Sequence, residues 1–327
     1  MTIGISELSS YVPPRILSNE ELSKQVDTSD EWIQSHTGIR ERRISDDGTF
    51  ASDLAIVAGS EVLKRRGLDP GDVDLVLVAT SSPDYNPFPS TASLVQEGLG
   101  CKNAGAFDLQ AGCSGFVYGL ESAKGMVAGG SMKRILVIGS EVLSKITNWK
   151  DRNTCVLFGD GAGAALVEDT GPEGHVILDS WLKSKGSDAG ALTREAGGTR
   201  VPGAPESPDP RKFTISMNGK KVYLFAVDAI VRTIKALCER NGNAPEELDW
   251  IVPHQANARI IEAAAARLKL PIEKFFMNLD RFANTSAASI PIALEEMRER
   301  SLLSPGQTLL TVGFGAGLSY GGNLIRW

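Results

Sequence analysis

What most constrains the fold of this chain is an internal repeat. Val73-Asp74-Leu75-Val76 is matched by Leu248-Asp249-Trp250-Ile251, each an apolar segment ahead of a short loop and a helix. Phe107 to Cys113 is matched by Asn278 to Asn284, a strand running into a helix start. Phe158-Gly159-Asp160-Gly161-Ala162-Gly163 is matched by Phe314-Gly315-Ala316-Gly317. Two similar α/β halves, residues 1–175 and 176–327, are expected to pack as a layered sandwich, with ligands where strand ends of the two halves meet.

Local patterns fill in this frame. Val73 to Thr80 and Arg134 to Ser140 are too continuously apolar for half-exposed strands and read as strands buried on both faces. Helices are expected over 52–67, 90–98, from Phe116 onward, and over 222–240, 258–268 and 287–300. The glycines from Gly159 to Gly163 lack the following helix that a dinucleotide fingerprint needs, so a tight turn or a bulge is expected there. Residues 184–212, rich in Gly, Pro and Ser, read as a long surface loop joining the halves.

Composition excludes several classes. A net charge of −6 over 327 residues gives no bulk attraction to nucleic acid. The four cysteines have no paired spacing, which argues for reduced thiols and against a zinc site or a disulfide framework. The N-terminus lacks the features of a signal peptide, and no apolar run approaches the roughly 20 residues of a membrane span. A cytoplasmic protein is expected.

The chemistry centres on Cys113. It follows an apolar strand, precedes a helical pattern and is flanked by Gly112, Ser114 and Gly115, so a ligand can approach closely. A helix N-terminus there is expected to lower the thiol pKa. The competing reading is a small buried hydrophobe, as for Cys101, Cys155 and Cys238. If the halves superpose, Asn284 lies at the elbow equivalent to that of Cys113, and His254 ends a strand that points to the same place. A Cys with a distant His and Asn is the general form of an activated thiol nucleophile. Taken singly, Asn284 also reads as a helix cap and His254 as a buried structural histidine. His36 and His175 read as surface residues. The turn from Gly313 to Gly317 offers backbone N–H groups to an oxyanion, or is merely a close approach of strands. The basic run Arg40 to Arg43 reads either as a solvated face or as a cationic entrance with Trp32 as a stacking surface.

Four motifs resemble the β-ketoacyl-[acyl-carrier-protein] synthase III family of thiolase-fold condensing enzymes. They are Asp30-Glu31-Trp32-Ile33 with Thr37-Gly38-Ile39-Arg40-Glu41-Arg42; Ala111-Gly112-Cys113-Ser114-Gly115-Phe116; Val252-Pro253-His254-Gln255-Ala256-Asn257; and Asn284-Thr285-Ser286-Ala287-Ala288-Ser289 followed by Gly313-Phe314-Gly315-Ala316-Gly317. The resemblance implies a five-layered αβαβα thiolase-like fold and a homodimer. It implies condensation of a short acyl-CoA primer with malonyl-acyl carrier protein through an acyl-Cys113 intermediate, initiating type II fatty acid synthesis. Cys113, His254 and Asn284 form the implied triad, with backbone N–H groups of Cys113 and Gly315 as the oxyanion hole. Coenzyme A is implied to lie along Trp32, Thr37, Arg152, Gly219 and Asn257, entering as acyl-CoA substrate; no metal or redox cofactor is implied. Phe88 is implied to limit the acyl pocket and Arg259 to dock the carrier protein, with Lys220, Lys221, Arg267, Lys269 and Lys274 extending a basic rim. His36, Gly112, Leu224 and Tyr320 depart from the family pattern. A specialised polyketide- or quinolone-type condensing enzyme or acyltransferase on the same fold, and a non-catalytic CoA-binding scaffold, are the alternatives.

Overall fold

The computed structural model describes residues 1–171, 174–202 and 209–327. Its strands are β1 (Ile3–Tyr11), β2 (Leu75–Ala79), β3 (Gly105–Leu109), β4 (Ile135–Val142), β5 (Asp160–Asp169), β6 (Val176–Ser184), β7 (Trp250–Pro253), β8 (Thr308–Gly315) and β9 (Ser319–Arg326), beside two small ribbons. The helices that matter here are α1 (Asp30–Thr37), α2 (Ala51–Arg66), α3 (Thr91–Leu99), α4 (Gly115–Ala128), α5 (Gly219–Arg240), α6 (Ala258–Leu268) and α7 (Ser289–Glu299).

The repeat is visible in the sheets. The first runs β1-β5-β4-β2-β3 and the second β6-β9-β8-β7. In each sheet one side is antiparallel and the other parallel: β1-β5-β4 and β6-β9-β8 pair antiparallel, while β4-β2-β3 and β8-β7, joined by helical crossovers, are parallel. The expected strand at Phe275 to Asn278 shrinks to one parallel bridge, Ile251 to Phe275. Its ladder is replaced by the buried Gln255 side chain, whose Nε2 donates to the Pro253 and Phe276 carbonyls while Oε1 accepts the Asn278 N–H.

Five layers result. One apolar cluster joins α2 and α3 to the outer face of the first sheet. A second joins α5 and α6 to the outer face of the other. Between the sheets lie α4 and α7, bringing Phe116, Val117, Leu120, Ile290 and Leu294 into a cluster shared by both. Layers this close need small residues where helix meets sheet. A Cβ at Gly163 would lie 2.7 Å from Pro291 Cβ, and one at Gly119 would lie 2.8 Å from Val137 Cγ1. The expected glycine turn or bulge at 159–163 is therefore, from Asp160 on, strand β5, its glycines admitting α7.

The segment 184–212 also differs from expectation. Strand β6 already belongs to the second sheet, so the segment is an insertion before α5 and not the junction of the halves. It holds a short helical turn (Gly186–Ala191) and a strand (Leu192–Thr193) paired with Ser216–Met217, and Ala191 and Ala196 are buried. Residues 203–208 of that expectation lie outside the described residues.

Candidate active site

Cys113 lies in a 3-10 turn (Gly112–Ser114) that runs directly into α4. The equivalent turn, Ser286–Ala288, leads into α7. Asn284 therefore sits slightly before the strict counterpart of Cys113, displaced by the short helix Leu279–Phe282 that the other half lacks. His254 follows β7, its N–H bonded to the Val312 carbonyl. Gly112 is the departure with the clearest reason: its φ is +54°, and a Cβ there would meet the Ala316 backbone N at 2.8 Å. Gly315 packs as closely, a Cβ there lying 2.6 Å from the Cys113 N.

A cavity of about 520 Å³ runs from the surface to this point. Its lining brings together Trp32, Thr37, Arg152, Gly219 and Asn257 with Cys113, His254, Asn284 and Gly315. At its mouth the Trp32 ring stacks on His36 at 4.3 Å and carries the Arg152 guanidinium 4.4 Å from its centre. Two of the lining side chains are already committed to structure. Asn257 caps α6 through Oδ1 and donates Nδ2–H to the His36 carbonyl, while the Thr37 hydroxyl donates to Ile33 and accepts from Ile39. They fix the cavity wall.

Cys113 also lines a second cavity of about 690 Å³, beside Leu109, Leu143, Ile146, Phe158 and Leu192. Phe88 lines neither cavity; it is 80 % exposed, on a loop that projects away from its own chain's core. Arg259, Lys220 and Lys221 are exposed, as the docking expectation requires of their position. Tyr320, another departure, is buried edge-on between Trp181 and Phe225, and Leu224 is 60 % exposed on α5.

The hydrogen bonds define what the triad presents. Ser289 Oγ accepts the Gln255 N–H at 3.3 Å and lies 2.7 Å from His254 Nδ1. The Ser289 hydroxyl has no other acceptor among the described residues, so its proton goes to Nδ1, which assigns the Nε2–H tautomer to His254. Burial pushes the His254 pKa down to about 3, so the ring is a neutral donor. Asn284 Oδ1 accepts the Ser286 N–H at 2.9 Å, which turns its Nδ2 toward the cavity it lines.

Cys113 departs from expectation. Burial pushes its thiol up to about 11, outweighing the Ser286 hydroxyl and the N–H groups of Cys113 and Ala316, which all favour the thiolate; the Glu141 carboxylate adds to the rise. The resting nucleophile is a thiol. The N–H directed at the sulfur besides its own is that of Ala316, one residue beyond Gly315. Sequence reasoning missed Ser286, Ser289 and Glu141. A charged residue inside the continuously buried β4 was the available signal for Glu141.

Among the described residues no cluster of His, Cys, Asp and Glu side chains is placed to hold a metal ion, and no helix is long and apolar enough to cross a membrane.

Comparison with known proteins agrees with this architecture. Residues 107–186 match the family model "3-Oxoacyl-[acyl-carrier-protein (ACP)] synthase III" and residues 238–327 its C-terminal counterpart. The chain is 50 % identical to the β-ketoacyl-[acyl-carrier-protein] synthase III of Caldanaerobacter subterraneus subsp. tengcongensis, over 99 % of this chain and 97 % of that one. It is 45 % identical to the Clostridium acetobutylicum protein of the same name, over 100 % and 99 %. The crystal structure of 3-oxoacyl-[acyl-carrier-protein] synthase III from Aquifex aeolicus superposes with a TM-score of 0.90 at 40 % identity, covering 99 % of this chain and 100 % of the other. The chain belongs to the β-ketoacyl-[acyl-carrier-protein] synthase III family, condensing enzymes of the thiolase fold.

Proposed function

We propose that this chain condenses a short acyl-CoA primer with malonyl-acyl carrier protein, forming 3-oxoacyl-acyl carrier protein through an acyl-Cys113 intermediate. The observation that carries the reading is the single cavity joining Trp32 and Arg152 at the surface to Cys113, His254 and Asn284 at its floor. The adenine end of CoA finds an aromatic face and a guanidinium at the mouth, with the thioester at the sulfur. Attack by Cys113 generates an oxyanion that the N–H groups of Cys113 and Ala316 stabilise; one such donor is worth about 10²–10³ in rate. CoA leaves and the acyl chain occupies the second cavity.

Malonyl-carrier protein then uses the same floor. Loss of CO₂ leaves an enolate whose oxygen needs donors and no acid. The neutral Nε2–H of His254 and the Nδ2 of Asn284 supply them. The enolate carbon attacks the Cys113 thioester and releases the product. Arg259 with Lys220 and Lys221 offers the acidic carrier protein a cationic approach on a chain of net charge −6. The active form is a homodimer, in which exposed Phe88 reaches the acyl cavity of the partner subunit.

The test is intact-mass detection of an acetyl adduct on exposure to acetyl-CoA, followed by its discharge with malonyl-carrier protein. Wild type forming the adduct and 3-oxoacyl product, and Cys113→Ala forming neither, is expected. Equal product from both sinks the reading.

A further inference from the structure

The triad leaves one proton unaccounted for. Cys113 rests as a thiol, and acylation must remove its hydrogen. His254 has no lone pair facing the cavity, because Nδ1 receives the Ser289 proton and Nε2 carries its own hydrogen. A different acceptor is required.

Glu141 sits at the end of β4 and is fully buried, with no salt-bridge partner among the described residues. It accepts the Ser81 N–H at 3.0 Å and the hydroxyls of Ser82 at 2.6 Å and Thr80 at 3.3 Å; the Ala287 N–H also faces it. Backbone N–H groups only donate, so this cradle keeps the group an acceptor. A carboxylate without a cationic partner inside a continuously buried strand is costly even when hydrogen-bonded, and such groups concentrate where chemistry uses them. Between it and the nucleophile stands Ser286. Its side chain is buried, its turn packs against both the Cys113 turn and β4, and it lines the second cavity together with Cys113. Its hydroxyl has a completed hydrogen bond with neither, nor with any other described group. The backbone there is at φ +49°, a conformation rarely held by a residue other than glycine.

We infer that Ser286 and Glu141 carry the Cys113 proton away during acylation and return it to the departing CoA. As Sγ bonds to the acyl carbon, the S–H bond breaks and its proton passes to Ser286 Oγ, whose own proton passes to a Glu141 oxygen. When the intermediate collapses, the carbon–sulfur bond to CoA breaks, and the CoA thiolate takes the proton back by the same route. The products are acyl-Cys113, CoA–SH and the carboxylate restored, with no co-reactant. Ser286 stands beside the reacting sulfur; Glu141 acts through it as a positioning residue. The ionisable side chains facing this proton are Glu141, whose basicity burial raises, and neutral His254. The inference rests on the acyl-Cys113 reading.

The experiment measures single-turnover acylation by acetyl-CoA from pH 6 to 9.5, by intact mass, for wild type, Ser286→Gly and Glu141→Gln. Glycine suits the φ of position 286, so that variant folds without its hydroxyl; a thermal melt checks both. At neutral pH both variants are expected to acylate about 10²-fold more slowly, the ordinary worth of a positioned acid or base. Their rates should rise about tenfold per pH unit, because only pre-formed thiolate reacts, while wild type stays nearly flat. Rates within threefold of wild type, or a loss of equal size at every pH, overturn the relay. Iodoacetamide alkylation run in parallel separates the two claims. If no acyl adduct forms on wild type but alkylation shows the same Ser286 dependence, the acyl-CoA reading falls and the relay stands.

Discussion

Gly315→Ala is a sharp probe of how the fold aims its nucleophile. The φ of Gly315 is 179°, extended backbone open to any residue, so alanine adds a methyl group and no backbone strain. That methyl carbon would lie 2.6 Å from the Cys113 N and 2.8 Å from Cys113 Cβ. Reaching even a tight contact of 3.0 Å requires about 0.4 Å of movement, and an ordinary contact at 3.4 Å about 0.8 Å. Neither side yields readily. Gly315 ends the central strand β8, and the Cys113 turn is locked to α4 and sits against Ala316. Overpacking of this kind costs about 1–3 kcal/mol of stability. The larger effect falls on chemistry, because the obstructed group is an N–H assigned to the oxyanion. Losing one such donor, or misplacing the sulfur by a fraction of an ångström, lowers acylation about 10²-fold. The assay is the single-turnover rate of the acetyl adduct at saturating acetyl-CoA, with a thermal melt. Gly125→Ala is the control: a Cβ there meets nothing within 4 Å, and a helix-interior alanine should add up to about 1 kcal/mol with full activity. Gly315→Ala acylating within threefold of wild type at unchanged melting temperature would falsify the reasoning.

Two further outcomes follow from the same geometry. Between about pH 6.5 and pH 3 the unfolded chain binds a proton at His254 that the folded chain refuses, so this group's contribution falls as pH drops, by at most about 1.4 kcal/mol per unit. His254→Asn should flatten the loss of stability between pH 7 and 5, measured by denaturant midpoints; identical slopes for the two proteins would contradict the buried neutral ring. Trp32→Ala removes the ring that holds Arg152, a stack worth about 1–2 kcal/mol. KM for acyl-CoA should rise about 5- to 30-fold with acylation at saturation nearly unchanged, and a fall in the saturated rate alone would refute that placement.

Much of this was legible in the chain. The repeat foretold paired sheets because each half needs the other to bury its second face, and the apolar run at Ile135 marks a strand covered on both sides. Cys113 and His254 are legible because each follows an apolar strand, and Asn284 because the repeat pairs its segment with the Cys113 elbow; strand ends converge when halves stack. The failures have a common cause. Gly159 to Gly163 reads as a turn or bulge because local pattern cannot tell a glycine that bends the chain from one that admits a helix. Phe275 to Asn278 reads as a strand because nothing local announces that the Gln255 amide replaces the ladder. Segment 184–212 carries turn composition, yet Leu192 and Ala196 wall the second cavity, a role set by tertiary contact.

The electrostatics of the site show most clearly what local reasoning omits. A helix start was expected to make Cys113 a thiolate, and in water the argument holds. Here the N–H groups of Cys113 and Ala316 favour the anion, but burial between two sheets removes more hydration than they replace, and the thiol stays protonated. The same burial holds His254 neutral. These effects are complementary. A thiolate–imidazolium pair would spend the histidine proton on activating sulfur and leave an ion beside the enolate. A neutral thiol beside a neutral Nε2–H keeps the histidine as a donor for an enolate oxygen, and passes the task of removing the sulfur's proton to a group outside the triad. The buried carboxylate of Glu141 is placed for that task, through a serine held at the counterpart of the turn that carries the cysteine. The duplication thus does more than build the sandwich: one elbow carries Cys113, and its counterpart carries Ser286, with Asn284 just ahead of it.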